Sequence, residues 1–120
     1  MSALRPRLDA ICAALPGAEK SDPWGGGHDA WKVGGKMFAC VGAVDPGVSV
    51  KTPDIDTASM LIEAGVGEKA RYFHKSWIRL PENVAVDELE HRVYVSYDVV
   101  RAGLTKKAQR ALAPRPGTEA

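Results

Sequence analysis

The alternation of hydrophobic and polar positions predicts a sheet organised around a glycine-linked hairpin. Two strand-like runs within residues 29–41 flank Gly34-Gly35, and a two-residue glycine link is typical of a tight hairpin turn. Because the second run is apolar on both faces, we expect it in the interior of the sheet. Strict alternation divides its side chains between two faces, with Met37, Ala39 and Val41 on one and Phe38 and Cys40 on the other.

Three further segments have the apolar spacing of amphipathic helices. Thr52-Pro53-Asp54 has the chemistry of a start for the second helix, and Gly65 that of its end. Asp87 and Glu90 have the spacing of a capping box at the start of the third. The expected buried positions are Leu4, Leu8, Ile11 and Leu15 in the first helix, Ile55, Ala58 and Ile62 in the second, and Leu89, Val93, Tyr97 and Val100 in the third.

Shorter alternating runs at 18–21, 48–51 and 75–80 predict three more strands. The element order predicts an α+β two-layer sandwich, in which helices cover one face of a mostly antiparallel sheet of about five strands. We expect one domain over residues 1–105 and a basic, flexible tail over 106–120. The outward positions, which we expect on the opposite face of the sheet, are Lys32, Lys51, Trp77 and Arg79.

Composition and charge narrow the class of protein. The chain is 45% hydrophobic and 26% charged, as expected of a globular domain, and no apolar run approaches the roughly 20 residues that cross a bilayer. Arg5 and Asp9 interrupt the segment where a signal peptide needs an apolar core, so we expect a cytoplasmic protein without a membrane partner. Cys12 and Cys40 are expected as buried free thiols.

Several ordered motifs resemble those of the MmcQ/YjbR family. They are Trp31-Lys-Val-Gly-Gly-Lys-Met-Phe-Ala39, Val50-Lys51, Ser76-Trp-Ile-Arg-Leu80, and Val95-Ser-Tyr-Asp-Val-Val100 before Lys106-Lys107. The resemblance covers nearly the whole chain and implies a CyaY-like (frataxin-like) α+β fold. It also implies DNA binding, with no established catalytic residues. An iron-binding version would need clustered carboxylates, and the first helix offers only Asp9.

No combination of side chains in the sequence predicts catalysis, a cofactor or a metal site. His28, His74 and His91 share no metal-ligand spacing. His28 and Asp29 are neighbours in a strand-like run, where successive side chains point to opposite faces, so we do not expect them to cooperate. Ser96 lies mid-helix without a nucleophile elbow, and we expect it to pack the helix on the sheet. We therefore expect a protein that is not an enzyme.

The basic residues indicate an anionic partner, because lysine and arginine neutralise phosphates. Candidate contacts to DNA are Lys32, Lys51, Lys75, Arg79, Lys106, Lys107 and Arg110, with Trp77 as a platform on which a base can stack. No helix has the character of a recognition helix, so we expect weak binding without strong sequence preference. A simpler interpretation is that Lys32, Lys51 and Arg79 alternate with apolar residues only because that face of the sheet is exposed to solvent. The alternative function is an adaptor or small anionic-ligand module, with its site between the loop at 24–27 and the sheet.

Overall fold

The structure, a computed structural model, describes residues 3–23, 25–43 and 46–116. Within these residues the chain forms four helices and six strands. In chain order they are α1 (Leu4–Ala13), β1 (Ala18–Ser21), β2 (Asp29–Val33), β3 (Lys36–Val41), β4 (Val48–Lys51), α2 (Ile55–Glu63), β5 (Glu68–Lys69), β6 (Trp77–Leu80), α3 (Val86–Ala102) and α4 (Lys106–Arg110).

The strands form a single antiparallel sheet in the order β1-β2-β3-β4-β6-β5. Gly34 and Gly35 link β2 to β3 with φ values of 59° and 80°, in the region that glycine enters without a Cβ clash. The hairpin lies in the interior of the sheet, as its apolar pattern predicts. The two-residue edge strand β5 is an addition to the predicted set.

A β-bulge in β3 changes the predicted facing of the hairpin. The register with β2 slips by one residue, so that Phe38 is an extra residue in β3. Phe38 and Ala39 therefore both belong to the core, while Met37 lines the opposite face together with Cys40. The faces predicted for Met37 and Phe38 are wrong, because strict alternation holds only for a strand without an inserted residue.

The helices cover one face of the sheet and enclose the core. α1 and α3 pack on each other, and α3 crosses β3 and β4, so that the Tyr97 ring meets Phe38 edge-on at 5.4 Å. The fully buried side chains at the centre of this layer include Leu8, Val41, Val48, Val50, Ile78, Leu80, Leu89 and Val93. This arrangement confirms the predicted two-layer α+β architecture.

Helix α2 buries a narrower face against the core than its apolar spacing predicts. Ala58 and Leu61 are its buried residues, whereas Ile55 and Ile62 are exposed. Helix α2 packs beside β6 rather than across the sheet, so Ala58 and Leu61, three residues apart, are enough to fill its contact with the core. The prediction that Ile55 and Ile62 are buried is therefore wrong. The predicted start is confirmed, since the Asp54 carboxylate accepts the Thr57 N–H at 2.7 Å.

The predicted capping box of α3 is wrong. The helix begins at Val86, after Ala85, which makes no side-chain capping bond. Asp87 is therefore already inside the first turn, where its carboxylate accepts the Glu88 N–H at 3.0 Å. An acidic residue at this end still interacts favourably with the helix dipole.

The basic segment after α3 has defined structure over the residues that are described. Residues 106–116 contain α4 and a following segment in which Leu112 packs against the core. Arg115 donates to Asp98 at 2.7 Å, which ties this segment to α3. These contacts give residues 106–116 a defined arrangement. The flexible tail expected over 106–120 stays a prediction, and its last four residues lie outside the described chain.

Candidate functional site

A cleft lies on the sheet face opposite the helices. Directly paired residues of antiparallel strands point to the same face, and the pairing places Cys40, Ser49, Arg79 and Glu68 in one row across β3, β4, β6 and β5. The first three of these form the floor of a cleft of about 530 Å³, within the range typical of small-molecule sites. Its remaining lining comes from His28, Met37, Gly42, Ala43, Gly47, Arg71, Tyr72 and Phe73.

The loop over residues 70–76 forms one wall of the cleft and covers Trp77. Phe73 stacks on the indole with ring centroids 4.6 Å apart and an interplanar angle of 26°. Trp77 lies on the predicted face but is only 9% exposed. Because Phe73 stacks on the indole and little of the ring is exposed, Trp77 does not present an open stacking platform for a base in this structure.

Two arginines contribute positive charge to the cleft. Arg79 forms an ion pair with Glu68 across the β5–β6 pair, so the charge of its guanidinium is partly compensated. Arg71 is exposed on the loop wall, and within residues 3–23, 25–43 and 46–116 no ion-pair partner of Arg71 is found. Arg71 is thus the cation of the cleft whose charge stays available to a ligand.

His28 lies on the opposite wall and is held by a glycine-rich turn. Asp22 accepts the backbone N–H groups of Gly27 at 3.0 Å and His28 at 3.2 Å, and the His28 Nδ1 lies 2.9 Å from the Gly25 carbonyl oxygen. Asp29 forms an ion pair with an arginine of α1, Arg5, at 2.9 Å. This wall lies where the alternative site was expected, although Trp24 lies outside the described residues.

The sulfur-containing side chains of β3 make the floor apolar. Cys40 is 6% exposed, and burial, with the nearby Asp29 carboxylate, raises the pKa of its thiol. Burial also raises the pKa of Cys12, in the helical layer. Because the nucleophilic form of cysteine is the thiolate, Cys40 presents a neutral, polarisable sulfur to the cleft at neutral pH, beside the thioether of Met37.

The other basic candidates do not join this cleft. Lys32 lies on β2 beside Glu19 in a separate groove, and Lys75 is exposed at the end of the loop. Three more are on α4, which presents Lys106, Lys107 and Arg110 to solvent. The structure therefore does not bring the predicted DNA contacts together in this cleft.

Lys51 belongs to a small polar cluster that no motif in the sequence indicates. Its Nζ donates to the Ser76 Oγ at 3.1 Å, and the His74 Nδ1 lies 2.8 Å from the same oxygen and accepts the Ser76 N–H at 3.1 Å. Ser76 is only 3% exposed. These hydrogen bonds connect β4 to the start of β6, so Lys51, His74 and Ser76 help to hold the sheet together.

Metal and membrane features do not emerge in the described part of the chain. Over residues 3–23, 25–43 and 46–116, no three His, Cys, Asp or Glu side chains are placed to hold a metal ion together. In the same residues no helix has both the length and the apolar character to cross a bilayer.

Comparison with known proteins assigns the family. The model of the YjbR family matches residues 13–99, and the chain therefore belongs to the YjbR family, as its motifs predict. None of the curated proteins matches the chain.

A solved structure has the same fold. The crystal structure of Deinococcus radiodurans protein DR2400, which carries a DUF419 domain, is similar with a TM-score of 0.75 at 22% sequence identity. The similarity covers 87% of this chain and 83% of that chain. At this level of identity the comparison shows the fold alone.

Proposed function

We propose that the chain binds a small anionic ligand in the cleft on the open face of the sheet, without catalysing a reaction. The observation that carries this proposal is the combination of a concave, mostly apolar lining with the available guanidinium of Arg71. Ligand sites typically combine apolar walls with a few polar groups that orient the ligand. An arginine also presents a fork of N–H donors that matches a carboxylate or phosphate.

The remaining polar groups of the cleft fit binding better than chemistry. The raised pKa of Cys40 keeps its thiol protonated at neutral pH, and Arg79 is engaged by Glu68. Ser49 contributes a hydroxyl from the floor. These groups can orient a bound anion, and none of them forms a nucleophile paired with a base.

The proposal is tested with a panel of small carboxylates, sulfonates and phosphates in thermal unfolding. A ligand present at a hundred times its Kd stabilises a protein by about 2.7 kcal/mol, which gives a measurable rise in Tm. Arg71→Ala should weaken binding of any hit by about tenfold, because a hydrogen bond to a charged group contributes roughly 1.5–3 kcal/mol and exposure reduces this.

The matched control is Lys75→Ala, which removes one positive charge from the same loop at a residue outside the cleft lining. A loss of affinity specific to Arg71→Ala supports the proposed site. Equal losses in both variants indicate only long-range attraction, and a panel without any hit refutes the proposal.

DNA binding is the second candidate, and α4 is the observation that favours it. Its three cations are exposed within five residues, a density that suits contact with a phosphate backbone. Base stacking loses its support, because Trp77 is buried.

The DNA candidate is tested by fluorescence anisotropy of a labelled duplex at low and moderate salt. Replacing Lys106, Lys107 and Arg110 by glutamine should reduce the slope of log K against log salt by about 2–3, since each phosphate that the protein neutralises contributes roughly 0.9 to this slope. Replacing Lys69, Arg71 and Lys75 is the charge-matched control. Absence of binding at low salt, or equal effects of both triple variants, rejects α4 as the DNA-binding element.

A further inference from the structure

We infer that the ligand of the cleft is a flat aromatic anion, held between the loop wall and the sulfur-lined floor, with Tyr72 closing over its ring. This inference rests on the proposed function and adds the chemical class of the ligand. Three features of the lining favour an aromatic ring over an aliphatic chain.

The first feature is the loop wall. Phe73 is fixed by its stack on Trp77, so its ring is already ordered before a ligand arrives. Because the Phe73 ring is already fixed, an aromatic ligand that packs against it orders no additional protein side chain. The pair of rings also contributes binding energy beyond the burial of apolar area. An aliphatic chain gains only burial there.

The second feature is the floor. Met37 and Cys40 line the cleft from β3, and Met37 faces it only because of the bulge at Phe38. Sulfur atoms make favourable contacts with aromatic rings beyond ordinary apolar packing. The cleft thus has a ring on one side and polarisable sulfur on the floor.

The third feature is Tyr72. It has a φ of 69°, the single left-handed value outside glycine among the described residues, and its side chain is fully exposed at the rim of the cleft. Glycine or asparagine adopts this conformation more readily than a bulky residue. A large, solvent-exposed ring on a strained backbone is a cost to the free protein, and strain of this kind is typical of ligand sites.

The exposed ring of Tyr72 would become buried if a ligand packed against it. Tyr72 lies between Arg71 and Phe73 in sequence, and we expect rotation about its Cα–Cβ bond to move the ring over the opening of the cleft. The anionic group of the ligand would then meet the Arg71 guanidinium, while its ring lies under Tyr72 and beside Phe73.

The test compares 2-naphthoate, octanoate and inorganic phosphate by isothermal titration calorimetry on the full chain. We expect 2-naphthoate to bind at least several-fold more tightly than octanoate. Tyr72→Asn should weaken 2-naphthoate binding by roughly 2- to 10-fold beyond its effect on octanoate, the range of an aromatic pair, because octanoate loses only apolar burial. The same substitution should raise Tm in the absence of ligand, because asparagine fits the left-handed conformation better.

Tyr72→Phe is the matched control and should retain the affinity for 2-naphthoate. If octanoate binds as tightly as 2-naphthoate, or if Tyr72→Asn leaves both affinities unchanged, the aromatic ligand class is overturned while anion binding stands. If 2-naphthoate does not bind while another anion of the panel binds and depends on Arg71, the aromatic ligand class is overturned and anion binding stands. If neither these three anions nor the panel of carboxylates, sulfonates and phosphates binds, the proposed function fails together with this inference.

Discussion

The hydroxyl of Ser96 offers a sharp test of how the helical layer is joined to the sheet. Its Oγ donates to the Phe38 carbonyl oxygen at 2.6 Å and accepts the Lys51 N–H at 2.9 Å. The ladder between β3 and β4 ends at Ala39 and Val50, so Phe38 and Lys51 would be its next pair. Ser96 therefore bridges a donor and an acceptor of β3 and β4 at the point where their pairing ends, next to the bulge residue Phe38.

We expect Ser96→Ala to destabilise the fold by about 2–4 kcal/mol. Ser96 is fully buried, so the substitution removes two hydrogen bonds and leaves a carbonyl and an N–H without their partner. Each buried polar group left without a hydrogen bond costs roughly 1–3 kcal/mol. Because Lys51 is partly exposed, water can satisfy part of its N–H, and we expect a total cost in the lower half of the range for two such groups. Against a typical total stability of about 5–15 kcal/mol, the loss is large.

Equilibrium unfolding in urea at constant m-value measures this loss. Ser49→Ala is the matched control, because Ser49 is also buried in the sheet and no hydrogen bond of its hydroxyl is found within the described residues. It should change stability by no more than about 0.5 kcal/mol. Amide exchange of Lys51 should also accelerate in Ser96→Ala. A loss below about 1 kcal/mol, or one equal to that of the control, would refute the bridging role.

Two further predictions concern close packing and pH. Gly47→Ala should destabilise the fold by about 1–3 kcal/mol, because a Cβ there would lie 2.5 Å from the Leu80 carbonyl oxygen; a urea midpoint equal to that of the parent protein would contradict this. Burial raises the pKa of Cys12 and Cys40 above the ordinary value of 9.0. The unfolded chain therefore releases these thiol protons at a lower pH than the folded one, so stability should be kept below about pH 9 and fall as the pH rises further. Urea unfolding between pH 7 and 10 should show a smaller decline in Cys12→Ala.

The central ribbon and the helical face could be predicted because their residues obey simple periods. Gly34-Gly35 between two apolar runs identifies the hairpin, and the spacing from Leu89 to Val100 identifies the long helix. These signals are local, and each is strengthened by burial on the expected face. Hydrophobic pattern alone was sufficient for this part of the fold.

The cleft was only partly predictable, because its walls depend on contacts outside the sheet pattern. The alternation of β6 places Trp77 on the correct face, but its burial depends on Phe73 in an irregular loop. Such a loop has no periodicity that assigns its side chains to a face. The bulge at Phe38 could not be predicted either, since the run from Met37 to Val41 has the pattern of an unbroken strand.

The depth of the cleft follows from small side chains in one row of the open face. Cys40 and Ser49 are partners across β3 and β4, and both line the cleft with side chains that leave little surface exposed. Larger side chains at these positions would have filled the space under the loop wall. A sheet that needed only a solvated second face would carry long polar residues in this row, as it does at Arg79. The small residues on the cleft floor therefore leave the space that the proposed ligand site uses.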